Sequence, residues 1–108
     1  MKRLLGVGIT LAAAALLSAA PAQADVDTDF TNELHIYGIY GQKDYNAWIA
    51  KITCKRLKNG LDTNANQSAE FVHNQLVKDT TTEQAWQFLG AGLRLYCPDR
   101  LPILTQAD

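Results

Sequence analysis

The chain has 108 residues, a formal net charge of −1 and two cysteines. This length leaves room for one domain and excludes a second. The weak negative charge argues against a protein that binds nucleic acid through a broadly basic surface.

The first 24 residues have the three parts of a secretory signal. Lys2 and Arg3 are followed by the apolar run LLGVGITLAAAALLSAA, and Ala22 and Ala24 supply an A-x-A cleavage site. A membrane anchor is the alternative, but the run is rich in alanine and no charged stop-transfer cluster follows it. We therefore predict a signal peptide over residues 1–24, export of the protein, and no stable membrane span after cleavage.

Removing residues 1–24 leaves 84 residues with a formal charge of −3, because Lys2 and Arg3 are lost from a chain of charge −1. A domain of that size buries only about 60% of its unfolded surface and commonly needs a covalent staple. In an exported protein, Cys54 and Cys97 predict a disulfide that should stabilise the fold by about 4 kcal/mol. The alternative is a metal or thiol redox site, which would need closer spacing such as CxxC or further ligands.

Helical spacing of apolar residues predicts two helices in the first half of the mature chain. The first runs from about Asp29 to Tyr37, and Gly38 follows it. Asp44 is expected to cap the second helix, which Gly60 ends.

Two capping boxes mark the starts of the next two helices. Asn64 and Gln67 begin a third helix that is expected to reach Lys78. Thr80 and Glu83 begin a fourth helix.

The fourth helix, which contains the stretch from Ala85 to Pro98, is the one around which the others are expected to pack. Its apolar residues cover more than half of its circumference and leave Ala91 and Gly90 on the polar side, and Pro98 stops it. The fold class predicted is therefore all-α, a small four-helix bundle over residues 25–100 with one disulfide. The tail, residues 101–108, is expected to lie along the bundle through its apolar residues and then fray.

Five residues are candidate ligand-binding residues. Histidine and tyrosine can serve as axial haem ligands. A histidine on the apolar stripe of the third helix is more often bonded to a backbone carbonyl, one on a polar face is usually solvated, and tyrosines commonly serve in packing. The candidates are His35, His73, Tyr37, Tyr40 and Tyr45.

The second helix contains a candidate basic patch. Together with Lys43 and Asp44, its cations give this region a local charge of +4. A solvated helix face is the simplest interpretation, and contact with an acidic envelope component is the alternative. The patch consists of Lys51, Lys55, Arg56 and Lys58.

Catalytic motifs are absent from the sequence. Ser68 is the only serine beyond the leader, and no GxSxG, HExxH or P-loop spacing occurs. We therefore predict a protein that is not an enzyme, with no catalytic residue, no metal site and no cofactor.

A set of residues spread over the mature chain forms a recognisable pattern that closes with YCP, its most specific element: Asp29-Phe30, Leu34, Gly38-Ile39, Cys54, Leu57, Gly60, Ala85, Phe88 and Tyr96-Cys97-Pro98. With these residues, the chain over 25–99 resembles the small exported actinobacterial, chiefly mycobacterial, proteins grouped as domain of unknown function 732. The resemblance implies a helical, exported protein and brings no catalytic site or ligand.

The sequence favours a secreted, non-catalytic binding or interaction module of the mycobacterial cell envelope. Its expected partner is an unidentified protein or envelope component, not nucleic acid. The alternative is an extracellular carrier of haem or another apolar small ligand. A cavity between the helices would favour the carrier, and a filled core with an exposed apolar or basic patch would favour the interaction module.

Overall fold

The computed structural model describes residues 22–106. Within them the chain forms four α-helices, a 3₁₀-helix and no β-strand, which confirms the all-α prediction. The predicted signal peptide lies outside the described residues except for Ala22–Ala24. The helices are α1 (Ala22–Ile36), α2 (Lys43–Lys58), α3 (Ala65–Gln75), α4 (Thr82–Tyr96) and the 3₁₀-helix (Pro98–Leu104).

Helix α4 is central, as its wide apolar arc predicts, and packs against α1, α2, α3 and the 3₁₀-helix. One cluster of buried side chains joins α4 to α1 and contains Phe30 and Phe88, whose rings meet edge to face at 5.0 Å. A second cluster contains Leu57, Leu89 and Leu93. The tail covers this second cluster through Leu101, Ile103 and Leu104, so residues 98–104 are an ordered part of the fold.

Helices α2 and α4 approach each other closely where their side chains are small. A Cβ atom built on Gly92 would lie 3.4 Å from the Cβ of Ala50. The same two helices are joined by the disulfide between Cys54 and Cys97, whose Cα atoms are 6.0 Å apart. The predicted disulfide and the predicted pairing of these helices are both confirmed.

The bundle has two different ends. The connections 37–42 and 76–81 lie together at one end, where the Gln84 side chain donates to the backbone oxygen of Tyr37 at 3.0 Å. We call this the loop end. The disulfide and the turn 59–64 lie toward the opposite end, where α2 and α4 both finish.

Helix α1 begins seven residues earlier than the predicted start at Asp29 and ends at Ile36, one residue before the predicted end at Tyr37. Its first turns contain few apolar residues, so periodicity does not mark them. Tertiary contacts hold this segment instead, because Asp27 accepts a hydrogen bond from Tyr96 and lies 3.9 Å from the Lys51 Nζ.

The predicted cap of α2 is wrong. Gln42 occupies the N-cap position without a side-chain hydrogen bond, and Asp44 lies in the first turn. Gly41, at φ 125°, turns the chain just before this point, so the helix starts at Lys43. Asp44 still favours the helix there, because a negative charge in the first turn complements the helix dipole.

The start of α3 is as predicted, but its end is not. Asn64 accepts a hydrogen bond from the backbone N–H of Gln67 at 2.9 Å, whereas the Gln67 side chain bonds to Thr63 instead of closing a box. The helix stops at Gln75, three residues before Lys78. No glycine marks this end, and a distant hydroxyl, that of Tyr45, satisfies the free carbonyl of Gln75 at 3.0 Å.

The capping box of α4 is shifted by one residue from the predicted pair, Thr80 and Glu83. Thr81 accepts from the backbone of Gln84 at 3.0 Å, and the Gln84 side chain accepts from the backbone of Thr81 at 2.9 Å. Ala91, expected on the polar side of this helix, is buried in the first cluster, because α4 has neighbours on nearly every side.

Candidate functional site

Three of the five candidate ligand residues already have hydrogen-bond partners within the fold. His73 is half-buried, and its Nε2 lies 2.8 Å from the backbone oxygen of Thr80. Because a carbonyl oxygen only accepts, this nitrogen holds the proton. The Tyr37 hydroxyl donates to Glu33 at 2.7 Å, and that of Tyr45 to the Gln75 carbonyl.

The other two candidates, His35 and Tyr40, are exposed and adjacent. Their ring centroids are 5.1 Å apart, and Tyr40 is 67% exposed. Tyr40 also lines a groove of about 340 Å³ between the two connections of the loop end. We call this the loop groove; it is lined by Gly38, Ile39, Tyr40, Gly41, Leu76, Val77, Asp79, Thr80 and Gln84.

Polar contacts hold both walls of the loop groove in place. The Gln84 side chain ties the first connection to the start of α4 through the backbone oxygen of Tyr37. His73 holds the second connection through Thr80. Gly38, at φ 80°, lies 3.3 Å from Gln84 at its Cβ position, so a larger residue there would disturb this contact. The sequence did not indicate this role of Gln84, because its partner lies 47 residues away.

The space between α2 and α4 is filled. The gap bounded by Ala50, Thr53, Phe88 and Leu93 has no volume that a water molecule could occupy. Thr53 is buried there with its hydroxyl donated to the Ile49 carbonyl at 2.8 Å. This part of the core therefore has no room for an apolar ligand.

Arg56, one of the four candidate basic residues, is part of an internal network. Its guanidinium makes two hydrogen bonds of 3.0 Å to Asp62, whose residue exposure is only 3%. Ser68 donates a further hydrogen bond to Asp62 at 2.9 Å, and the guanidinium lies 4.2 Å from the Phe71 ring centroid. This network closes the turn between α2 and α3, and the Arg56 charge is balanced within it.

The three lysines of the patch remain at the surface. All three are exposed, and within the part of the chain that the structure describes Lys55 and Lys58 make no ion pair. Lys51 lies 3.9 Å from Asp27 and 5.9 Å from the Tyr96 ring centroid. The candidate basic patch is therefore three lysines along one helix face.

Exposed aromatic residues share this helix face. Trp48 is 51% exposed, and its ring centroid is 6.0 Å from that of Tyr45. Residues three and four apart are neighbours on a helix surface, so Trp48 lies beside Lys51 and Ile52. We call this surface the outer face of α2; it consists of Tyr45, Trp48, Lys51, Ile52, Lys55 and Lys58.

Two recesses border the C-terminal turn of the outer face of α2. One, of about 520 Å³, lies between Ile52 and Leu61. The other, of about 460 Å³, lies beside the disulfide and is bordered by Lys58 and Arg100. Lys55 and Asn59 line both recesses, so the helix forms the ridge between them.

Two acidic residues of α1, Asp27 and Glu33, make contacts across the bundle. Partial burial by itself would raise the pKa of Glu33, but hydrogen bonds from Arg94 and Tyr37 outweigh it and lower this pKa below its ordinary value of 4.5. Burial, followed by the hydrogen bond to Asp27, raises the pKa of the Tyr96 hydroxyl. Glu33 is therefore engaged with α4, and Asp27 with both α4 and Lys51 of α2, whereas Lys55 and Lys58 face solvent.

Two features are absent from residues 22–106. No three His, Cys, Asp or Glu side chains come close enough to form a metal-ligand set in this span. None of the helices described there is both long and apolar enough to cross a membrane.

Comparison with known proteins identifies the family. Residues 25–99 match the family described as protein of unknown function (DUF732). The chain belongs to the DUF732 family.

Two curated relatives are similar over nearly the whole chain. Both are described as uncharacterised proteins of Mycobacterium tuberculosis, from two different strains. Each is 52% identical over 102 residues, which cover 94% of this chain and 89% of the relative. No solved structure shows a significant match.

In this DUF732 protein, most of the residues that carry the family resemblance stabilise or shape the fold. Phe30, Leu34 and Phe88 are fully buried, and Gly38 and Gly60 have positive φ angles. Cysteines 54 and 97 form the disulfide. These residues account for a shared helical fold and do not by themselves indicate a chemistry.

The exposure of the outer face of α2 is not predicted by the sequence pattern. Helical spacing places Trp48, Ile52 and Tyr45 on one apolar arc with Ile49, yet only Ile49 is fully buried. A signal was present, because lysines recur at positions 51, 55 and 58 along the same arc. An arc that alternates aromatic residues with lysines is typical of a face that meets both water and an apolar phase.

Proposed function

We propose that this protein is an exported, non-catalytic interaction module of the mycobacterial cell envelope. The observation that carries the proposal is the distribution of apolar and basic groups. The helices leave no space for a water between α2 and α4, whereas large apolar side chains and lysines are exposed on the outer face of α2. Side chains of this kind at the surface favour contact with a partner.

Export is the second part of the proposal. It is supported by the leader pattern of residues 1–24 and by the disulfide, which forms and persists in oxidising compartments. The relatives from Mycobacterium tuberculosis support a mycobacterial setting.

The experiment is fractionation of the tagged protein produced in a mycobacterial host. We expect the protein in the culture filtrate and the envelope fraction. Its intact mass should correspond to a chain that starts at Asp25, and this mass should increase by about 2 Da when the disulfide is reduced. An unprocessed protein confined to the cytosol would contradict export. Release of all envelope-bound protein by a buffer wash would contradict a specific interaction there.

The carrier of haem or another apolar ligand is the second candidate function. One observation favours it: His35 and Tyr40 place two possible iron ligands 5.1 Å apart, ring centroid to ring centroid, beside the loop groove. A haem titration followed by absorption compares wild type with His35→Ala and Tyr40→Phe, using His73→Ala as a further variant. We expect weak binding that none of the substitutions abolishes. Stoichiometric, submicromolar binding lost in one folded variant would establish the carrier.

A further inference from the structure

The outer face of α2 combines aromatic and basic side chains, and no element within residues 22–106 covers it. Trp48 and Tyr45 are exposed, and Leu61, in the turn after the helix, is 63% exposed. Helical spacing aligns Trp48 with Ile52 and Lys55 along one line of the surface. An indole, an aliphatic side chain and an ammonium group therefore project from the same ridge.

The positive charge of this face is only partly offset by nearby acidic residues. Lys55 and Lys58 make no ion pair within residues 22–106, and the one contact of Lys51 with an acid is 3.9 Å long. Asp44 lies on the same arc of the helix, and Asp99 lines the recess beside Lys55 and Lys58, where it pairs with Arg100 at 3.5 Å. Charges separated by more than about 10 Å are screened at physiological salt, so a partner at this face experiences mainly the lysines.

The size of the face limits the kind of partner that fits. Sixteen residues of α2 span about 24 Å, and one face of a helix is about 10 Å wide, which gives roughly 240 Å². A stable protein interface buries about 800 Å² of accessible surface on each partner, so a protein partner would also have to cover neighbouring elements. A bilayer surface needs no such matched area, because aromatic rings insert among the headgroups and each lysine near an acidic surface attracts independently.

We propose that the outer face of α2 docks the protein onto a bilayer surface that contains acidic lipids. This inference rests on the proposed function and names the partner of the interaction module. Trp48 and Ile52 enter the headgroup region, and Lys51, Lys55 and Lys58 meet the acidic headgroups. The recesses of about 520 Å³ and 460 Å³ on either side of Lys55 leave space for headgroups beside the helix.

The test is vesicle flotation of the protein secreted by a mycobacterial host, after intact mass has established its N terminus. Vesicles of pure phosphatidylcholine are compared with vesicles containing about one third phosphatidylglycerol. We expect binding to the acidic vesicles alone, and its loss at high salt. A retained leader would insert into both kinds of vesicle, so the neutral vesicles control for it.

Two substitutions locate the face. Lys55→Glu should lower the partition coefficient at least tenfold, because it reverses one charge at the surface. Lys78→Glu is the matched control, since Lys78 is an exposed lysine beyond the end of α3 and the net charge changes equally. In a Trp86→Phe variant Trp48 is the one tryptophan left, and its emission should shift to the blue on acidic vesicles.

Two results would overturn the inference. One is the absence of binding to acidic vesicles. The other is an equal loss of binding in Lys55→Glu and Lys78→Glu, with both variants shown to be folded by circular dichroism. That result would mean that the net charge of the protein, and not this face, determines binding to the vesicles. If the protein does not bind the vesicles but remains associated with the envelope in the host, the proposed lipid partner is wrong. The proposed function as an interaction module would not be contradicted by that result.

Discussion

Cys54, in the last turns of α2, is bonded to Cys97 at the end of α4, and their Cα atoms are 6.0 Å apart. The bond closes a loop of 43 residues that contains all of α3. It therefore joins the helix that presents the outer face to the helix around which the bundle packs.

Removing this bond should cost about 4 kcal/mol of unfolding free energy. The reason is that the linked unfolded chain has less conformational entropy to gain, and the expected range is about 2–5 kcal/mol. The measurement is urea denaturation of the Cys54→Ala/Cys97→Ala double variant. Wild type in reductant is the control, because it breaks the bond without changing side-chain volume. A loss below about 1 kcal/mol in both samples would contradict the prediction.

The Asp62 carboxylate should be a strong determinant of stability. It is buried against Arg56 and Ser68, so Asp62→Asn leaves a half-buried guanidinium without its counter-charge. We expect a loss of about 3 kcal/mol in urea denaturation. Asp99→Asn is the control, because its contact with Arg100 is exposed and should be worth less than about 0.5 kcal/mol. Similar losses in both variants would show that burial of the pair has no special effect.

Two glycines of α4 should respond in opposite directions to added side chains. The Cβ position of Gly90 has its nearest neighbour at 4.0 Å, so Gly90→Ala should gain about 0.5–1 kcal/mol through better helix propensity. That of Gly92 is 3.4 Å from Ala50, so Gly92→Val should lose about 1–3 kcal/mol through crowding between α2 and α4. Thermal unfolding of both variants measures the signs. A stabilised Gly92→Val would mean that the two helices do not approach as closely as described.

The unfolding free energy should decrease at acidic pH, partly because Glu33 becomes protonated. Its pKa is lower in the folded protein than its ordinary value of 4.5, so the unfolded chain binds the proton more readily. The contribution is present above about pH 4.5 and is lost as the pH falls through the folded pKa.

Glu33→Gln tests this. At neutral pH it should cost about 0.5–1 kcal/mol, because Arg94 is half exposed and solvent screens the pair. Between about pH 5 and pH 3 its unfolding free energy should fall less steeply than that of wild type. Glu70→Gln is the control, because Glu70 is an exposed acid without an ion pair in the described residues and the net charge changes equally. Parallel profiles for wild type and Glu33→Gln would contradict the assignment.

The sequence by itself determined the features that depend on neighbouring residues. The all-α class follows from apolar spacing, the central position of α4 from its wide apolar arc, and the start of α3 from Asn64. The disulfide follows from having two cysteines in a predicted exported chain. Each of these signals depends on residues close together in the sequence or on the number of cysteines. It can therefore be read without knowledge of the tertiary contacts.

Only the tertiary structure decided the features for which the local sequence allows several alternatives. In these cases contacts with residues distant in the sequence determine which alternative forms. Three consecutive threonines could each cap α4, and Thr81 is the one that does so, in a box with Gln84, whose side chain also reaches the first connection. In the same way, packing buried Ile49 and left Trp48 exposed, although the two are adjacent in the sequence. A helix with apolar residues on two arcs can bury either one, and the surfaces available on α1, α3 and α4 determine which arc faces solvent.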